Sequence, residues 1–238
     1  MNQIIIPQEA VKFILYQRTA FLKFPNTFVN RWLSIIIPFS IYYKQVVNRQ
    51  AKTNSLSIKE LYINSLKQEY LTIKDYLPNT CSSVLDIGCG VAGINILINK
   101  HYGNNQQMFH LLDKTGISKR FHYSYKPKGA FYNSLDVAKE LLIGNHIPER
   151  NINLIEATDN NDIKINSDVN LVISLISWGF HYPIETYLNR VYELLTNGGS
   201  LIIDVRKETN GIQDLNKVFR KVEVIYEEEK FQRVLAIK

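Results

Sequence analysis

The sequence predicts an α/β fold, a parallel sheet covered by helices on both faces and closed by one antiparallel pair. Three observations carry this. From residue 83 onward, short apolar runs alternate with helical segments through five strands, the pattern of strands buried on both faces. A glycine-rich turn joins the first of these strands to its helix. The last two strands are separated only by Glu227-Glu-Glu-Lys230, and a connection that short permits only an antiparallel pair.

Residues 1–55 read as a basic helical extension and residues 56–238 as the domain that follows it. Val11, Leu15, Arg18 and Leu22 keep helical spacing until Pro25-Asn26 breaks it. A second helical run over 27–50 should kink at Pro38. After the polar stretch 52–55, Ser57 with Glu60 three residues on has the capping-box pattern, opening a helix that Pro78-Asn79 ends. Strands are expected at 83–87, 108–112, 152–156, 170–175 and 200–204. The helices between them are expected to 100, over 134–143 and over 184–196, the last stopped by Asn197-Gly198-Gly199. A long basic and aromatic connection, 114–132, separates the second strand from its helix. A short helix over 211–220 precedes closing strands at 222–226 and 231–237.

The chain has 238 residues, 45% hydrophobic and 21% charged, enough apolar content for a large core and too much for disorder. Two cysteines, Cys81 and Cys89, make neither a disulfide framework nor a four-thiolate zinc site. The longest apolar run, 32–43, is short of the about 20 residues a membrane span needs. With no secretion-signal pattern at the start, the expectation is a cytoplasmic protein. The net charge of +6 lies wholly in residues 1–55, where seven basic residues face Glu9 alone. A solvated helical face is the favoured account, over docking to nucleic acid or an anionic membrane. Exposed apolar surface in these helices would favour a homodimer.

The chemistry concentrates in Val84-Leu-Asp-Ile-Gly-Cys-Gly-Val-Ala-Gly93. Gly88, Gly90 and Gly93 form G-x-G-x-x-G between a strand and a helix, where backbone must turn sharply and approach a ligand closely. Twenty residues past Gly93, Asp113 ends the second strand, placed to accept hydrogen bonds from both hydroxyls of a ribose. A nucleoside-bearing ligand follows. Asp86 stands two residues before Gly88, where a negative charge would repel a pyrophosphate and help hold an ammonium group. The glycine fingerprint alone is also compatible with a nicotinamide dinucleotide.

This motif, V-L-D-I-G-C-G-x-x-G, closely resembles the first motif of class I S-adenosylmethionine-dependent methyltransferases. The resemblance runs over 57–238 and takes in Asp113, Asn170-Leu-Val-Ile-Ser174, Leu195-Thr-Asn-Gly-Gly-Ser-Leu201 and the closing pair. It implies a Rossmann-like seven-stranded sheet in the order 3-2-1-4-5-7-6, with S-adenosylmethionine bound across the strand ends. By position, Asp86, Gly88, Cys89 and Gly90 would line its methionine part. Asp113 would hold the ribose, with Leu112 and Lys114 beside it. Where the family often places an acid near adenine, this chain reads Glu156-Ala-Thr-Asp159, leaving Ala157 and Thr158 at that position. Ser174 would follow the cofactor on the fourth strand.

Ser177-Trp-Gly-Phe-His-Tyr-Pro183 follows that strand, where members of the family often place catalytic residues. His181 is the candidate general base, since an imidazole near pKa ~6.5 suits removal of a hydroxyl proton, with Tyr182 beside it. Trp178 is a candidate stacking surface, against the alternative that it is core. The loop lacks the Asn/Asp-Pro-Pro-Tyr motif of amino-methyltransferases, which lowers the nucleic-acid reading. The basic and aromatic connection holds His122 and Tyr125, and Arg206 lies just past the fifth strand. Such residues suit an anionic, ring-bearing acceptor. The expectation is methyl transfer to a small molecule, a hydroxyl of a sugar or phosphorylated metabolite. Methylation of RNA or a membrane-associated lipid, and a non-catalytic adenosyl-binding protein, are the alternatives. No metal site is expected, an acidic turn being the favoured reading of Asp159-Asn-Asn-Asp162.

Overall fold

A computed structural model of the chain describes residues 3–24, 39–103, 105–118, 123–127 and 129–238. Among the described residues, three α-helices come first: α1 (Gln8–Gln17), α2 (Phe39–Thr53) and α3 (Ser55–Leu71). Then β1 (Ser83–Ile87), α4 (Gly93–Tyr102) and β2 (Met108–Asp113) alternate. A two-stranded ladder of β3 (Gly116–Ile117) and β4 (Tyr132–Asn133) leads into α5 (Leu135–Gly144) and β5 (Ile152–Glu156). The remainder is β6 (Val169–Ser174), β7 (Ser177–Tyr182), α6 (Leu188–Leu194), β8 (Leu195–Arg206), α7 (Gly211–Val218), β9 (Lys221–Glu227) and β10 (Phe231–Ile237).

Seven strands form one sheet in the order β5-β2-β1-β6-β8-β10-β9. Counted along the chain this is 3-2-1-4-5-7-6, and β10 runs antiparallel to both of its neighbours. Strand residues alternate between two cores because successive side chains point to opposite faces. Val84, Leu111, Leu171, Ile173 and Ile202 face the core built by α1–α5, while Leu85, Leu112, Val172, Leu201 and Ile203 face the one under α6 and α7. Ile4, Val11, Ile14 and Leu15 belong to the first of these cores, so the N-terminal helix packs into the same apolar cluster as the sheet.

Three local expectations give way to tertiary structure. Ser57 does not cap a helix. Asn54 N–H donates to Gln50 O and Ile58 N–H to Asn54 O, so helical hydrogen bonding runs almost through the polar stretch and α3 begins at Ser55. Asn197-Gly198-Gly199 does not follow the end of a helix, since α6 stops at Leu194 and these residues lie within β8. The segment after β6 is not an open loop. Residues Ser177–Tyr182 are extended as β7, which fixes alternate side chains on opposite sides. The expected kink at Pro38 lies outside the described residues.

A buried ion pair joins β8 to β10. Arg233 and Asp204 are register partners on β10 and β8, exposed by only 2% and 0%. Arg233 Nε donates to Asp204 Oδ1 at 2.7 Å and an Nη to Oδ2 at 2.8 Å. Asp204 Oδ2 also accepts the Ile176 N–H at 3.0 Å, which holds the turn between β6 and β7. Removing one partner strands a buried charge, which costs far more than removing both. Arg233→Met should lower stability to urea by about 3–5 kcal/mol. Asp204→Asn/Arg233→Met should restore most of that loss, as read from urea denaturation midpoints.

Candidate functional site

The strand order reverses between β1 and β6, so the chain leaves their carboxyl ends in opposite directions and opens a crevice there. After Ile87 the backbone turns through Gly88 (φ 70°) and Gly90 (φ 54°), both left-handed and favourable to glycine. The amides of Gly88 and Cys89 donate to Leu112 O at 2.7 and 3.3 Å, strapping the turn to β2. A side chain at Gly88 would run into the Ser177 hydroxyl, and one at Gly93 into the Tyr62 phenol.

Asp113 closes this arrangement. Its Oδ2 accepts the Gly90 N–H at 2.8 Å and the Asn133 Nδ2 at 3.0 Å, and its Oδ1 accepts the Lys114 N–H at 2.7 Å. A carboxylate has about four lone-pair sites, and three are filled by the protein itself. One ribose hydroxyl fits on Oδ1 as the site stands, while a second would have to displace Asn133. Asp86 is 3% exposed and accepts from Asn95 Nδ2 at 2.6 Å. Burial pushes its carboxyl up to about 7, against that hydrogen bond and with help from the charges of Asp113 and Glu69. Burial likewise raises Asp113 to about 6, despite the three donors it accepts from. The Cys89 thiol is raised well above its ordinary value by burial and then by Asp113 and Asp86, so it is no nucleophile.

Two clefts flank Gly88, Asp113 and Ser177, with Ala130 and Phe131 as a shared wall. The first is lined by Asp86, Cys89, Gly90, Gly93 and His181 together with Gln17, Arg18, Tyr62 and Glu69. The second is lined by Leu112, Lys114, Ala157, Thr158, Tyr182 and Tyr187. His181 and Tyr182 therefore face different clefts, as neighbours on the extended β7 must. Burial raises the Tyr182 phenol, and Lys114 is engaged by Asp159 at 3.6 Å and by the Phe131 ring at 5.1 Å.

Other expected residues stand elsewhere. Trp178 is not a stacking surface. It is fully buried, with its indole N–H on Ile184 O at 2.9 Å and its ring edge-on to Tyr187. Ser174 is fully buried and donates to Ile87 O at 2.8 Å, tying β6 to β1 rather than lining either cleft. Arg206 lies over the Phe180 ring at 5.3 Å, and its charge reaches Tyr125, whose phenol burial raises. Neither residue lines the two clefts. His122 lies outside the described residues. Gln17, Arg18, Tyr62, Glu69 and Asn133 were not anticipated. Arg18 and Leu22 read only as helical spacing, and Asn133 reaches Gly90 O at 2.6 Å from 43 residues away, a contact with no local signal.

No family model and no curated protein matches the chain. Solved structures do. A Nostoc punctiforme protein assigned as an O-methyltransferase superposes with TM-score 0.53 at 13% identity, over 96% of this chain and 72% of that one. An O-methyltransferase family protein from Burkholderia thailandensis gives 0.51 at 11%, over 80% and 61%. A ribosomal protein L11 methylase from Lactobacillus delbrueckii subsp. bulgaricus gives 0.50 at 16%, over 71% and 75%. These likenesses establish the fold, the Rossmann-like methyltransferase sheet that the sequence resemblance implies.

The raised carboxyls make stability depend on pH. An aspartate in an unfolded chain titrates near ~3.9, and Asp86 in the folded protein at about 7. Between those values the folded state holds a proton that the unfolded state has lost, so stability falls as pH rises from about 4 to about 7. Asp86→Asn removes that term. Its stability should fall less between pH 5 and pH 8 and should exceed that of the unsubstituted protein at pH 8, measured by urea denaturation at both. The remaining slope would be shared by Asp113 and Asp204, both raised by burial, with His110, lowered by burial, acting in the opposite direction.

Proposed function

We propose that the chain transfers a methyl group from S-adenosylmethionine to a hydroxyl of a small-molecule acceptor, a sugar or a phosphorylated metabolite. The observation that carries this reading is the pair Asp86 and Asp113 set around a left-handed glycine turn at the switch point of the sheet. Two carboxylates there repel phosphate, accept an ammonium and a ribose hydroxyl, and so select an adenosyl amino acid over a dinucleotide. The residues present fit that group. Gly88 and Gly90 let the Ser177 and Gln17 side chains lie directly against the turn, and Leu112, Ala157, Thr158 and Tyr187 line the second cleft, which suits a flat base. Bound there, S-adenosylmethionine supplies a methyl group already activated by its sulfonium.

The protein's own work is then alignment, exclusion of water and removal of one proton. His181 lines the first cleft beside Asp86 and Gly88, and as general base it takes the acceptor's hydroxyl proton. Ala130 and Phe131 line both clefts and supply apolar surface where the two meet. Two of the structures with this fold carry O-methyltransferase names, which supports oxygen as the atom methylated. Calorimetric titration with S-adenosylmethionine, S-adenosylhomocysteine and NAD tests the cofactor. The adenosyl ligands should bind, and Asp113→Ala should weaken them tenfold or more. Binding of NAD alone would overturn the reading. In a screen of nucleotide sugars for S-adenosylhomocysteine release, His181→Ala should lower turnover about 100-fold with cofactor affinity unchanged.

A second reading, action on a membrane-associated lipid, has one observation in its favour. Lys23 and Lys52 share a shallow groove with Phe21, Leu56 and Leu61, and Leu56 is 80% exposed. Basic groups beside exposed apolar side chains suit an anionic bilayer. If so, the protein should sediment with phosphatidylserine vesicles and not with phosphatidylcholine vesicles, and Leu56→Glu/Lys52→Glu should release it.

A further inference from the structure

We infer that a third cleft, beside the first, seats the acceptor, and that it takes an uncharged sugar ring. The inference rests on the methyl-transfer reading above and narrows its acceptor from a sugar or a phosphorylated metabolite to the first of these. The cleft lies between the C-terminal half of α3, the turn after β6 and the β9–β10 hairpin, with a volume of about 560 Å³, within the range of ligand pockets. Arg18, Glu69 and Ile176 line both it and the first cleft, so the two meet at these residues. The acidic turn between the closing strands supplies its rim, through Glu228, Glu229 and Lys230.

Three aromatic rings make its apolar wall: Phe231 lies edge-on to Phe180 at 5.9 Å and tilted to Tyr226 at 6.4 Å. Guanidinium groups already stand over these rings, Arg206 over Phe180 at 5.3 Å and Arg233 over Tyr226 and Phe231 at 5.8 and 5.7 Å. Those cations oppose an ammonium ligand, which would otherwise suit aromatic faces. A phosphate is disfavoured for the opposite reason. Among the lining residues Arg18, Lys230 and Arg233 are matched by Glu69, Glu228 and Glu229, and Arg233 is already paired with Asp204, so the cleft has no surplus of positive charge. What it offers is carboxylate acceptors beside guanidinium donors, and a hydroxyl uses both, donating to one and accepting from the other. Arg233 is 2% exposed and gives three of its five N–H donors to Asp204 and Thr72, which leaves buried donors on the cleft's wall. A sugar ring carries hydroxyls around its edge and C–H groups on its face, the complement of a charged rim and an aromatic wall. The Phe180 ring stands edge-on to the His181 imidazole at 4.8 Å, so the general base proposed above adjoins that wall.

The test is saturation-transfer NMR on the protein saturated with S-adenosylhomocysteine. The probes are the methyl pyranosides of glucose, galactose and mannose, with glucose 6-phosphate and glucosamine as charged counterparts. At least one methyl pyranoside should bind, and more tightly than either charged sugar. Glu229→Ala, at an exposed position, should weaken that pyranoside about tenfold, and Phe231→Leu about fivefold. Both variants should keep S-adenosylhomocysteine affinity within twofold, measured by calorimetry. If S-adenosylhomocysteine binds but no pyranoside does, if a charged sugar binds more tightly, or if both variants leave the pyranoside unaffected, the inference is overturned while the methyl-transfer reading stands. Failure of the unsubstituted protein to bind S-adenosylhomocysteine would instead overturn that reading, and the acceptor role of the cleft with it.

Discussion

The strand-order reversal between β1 and β6 is the constraint from which the rest of the site follows. Helices that leave two neighbouring parallel strands in opposite directions cannot cover the ends of both. The backbone there has to turn without side chains, which Gly88 and Gly90 permit in left-handed conformations. A loose turn would not hold that geometry. It is held by the Leu112 carbonyl and by the Asp113 carboxylate, both at the end of β2.

Asp113 in turn recruits the long connection after β2. Asn133, at the return of that connection, bridges the carboxylate and the Gly90 carbonyl. Gln17 then fastens α1 to Tyr132, and Tyr16 stacks on the Tyr132 ring with centroids 5.9 Å apart. One carboxylate at a strand end thus organises the glycine turn, the insert and the N-terminal helix. The arrangement costs stability, because Asp86 and Asp113 are both held in surroundings that disfavour their charge. A buried carboxylate with so few cations beside it is a poor fold element and a good receptor for an ammonium and hydroxyls.

The buried pair between β8 and β10 serves a different end. Asp204 and Arg233 satisfy each other almost completely, and the pair fixes Ile176, from which β7 departs. β7 then directs His181 to one cleft and Tyr182 to the other. The two histidine-loop residues adjacent in sequence are therefore separated in function by the period of a strand.

The residues from Ser83 to Ile237 made the sheet legible because its signals are local: apolar runs, a glycine turn, an acid at a strand end and a connection too short for a crossover. Asp86, Gly88, Gly90 and Asp113 could be read as a site for the same reason, their spacing being set by one strand-turn-helix-strand unit. Trp178 could not be assigned from sequence, since an aromatic after a strand is core or platform according to what packs on it, and here Ile184 and Tyr187 do. Ser174 likewise has its hydroxyl claimed by the Ile87 carbonyl across the sheet. Arg18, Glu69 and Asn133 carry no motif. Glu69 stands 51 residues from Arg18, and only the packing of α3 against α1 brings them to one wall. Sequence by itself determined the succession of strands and helices and the glycine-acid crevice, because both arise from short-range patterns, whereas the strand order was implied only by the family resemblance. Tertiary structure alone decided which polar side chains face that crevice, because burial and hydrogen bonding between distant segments leave no periodic trace.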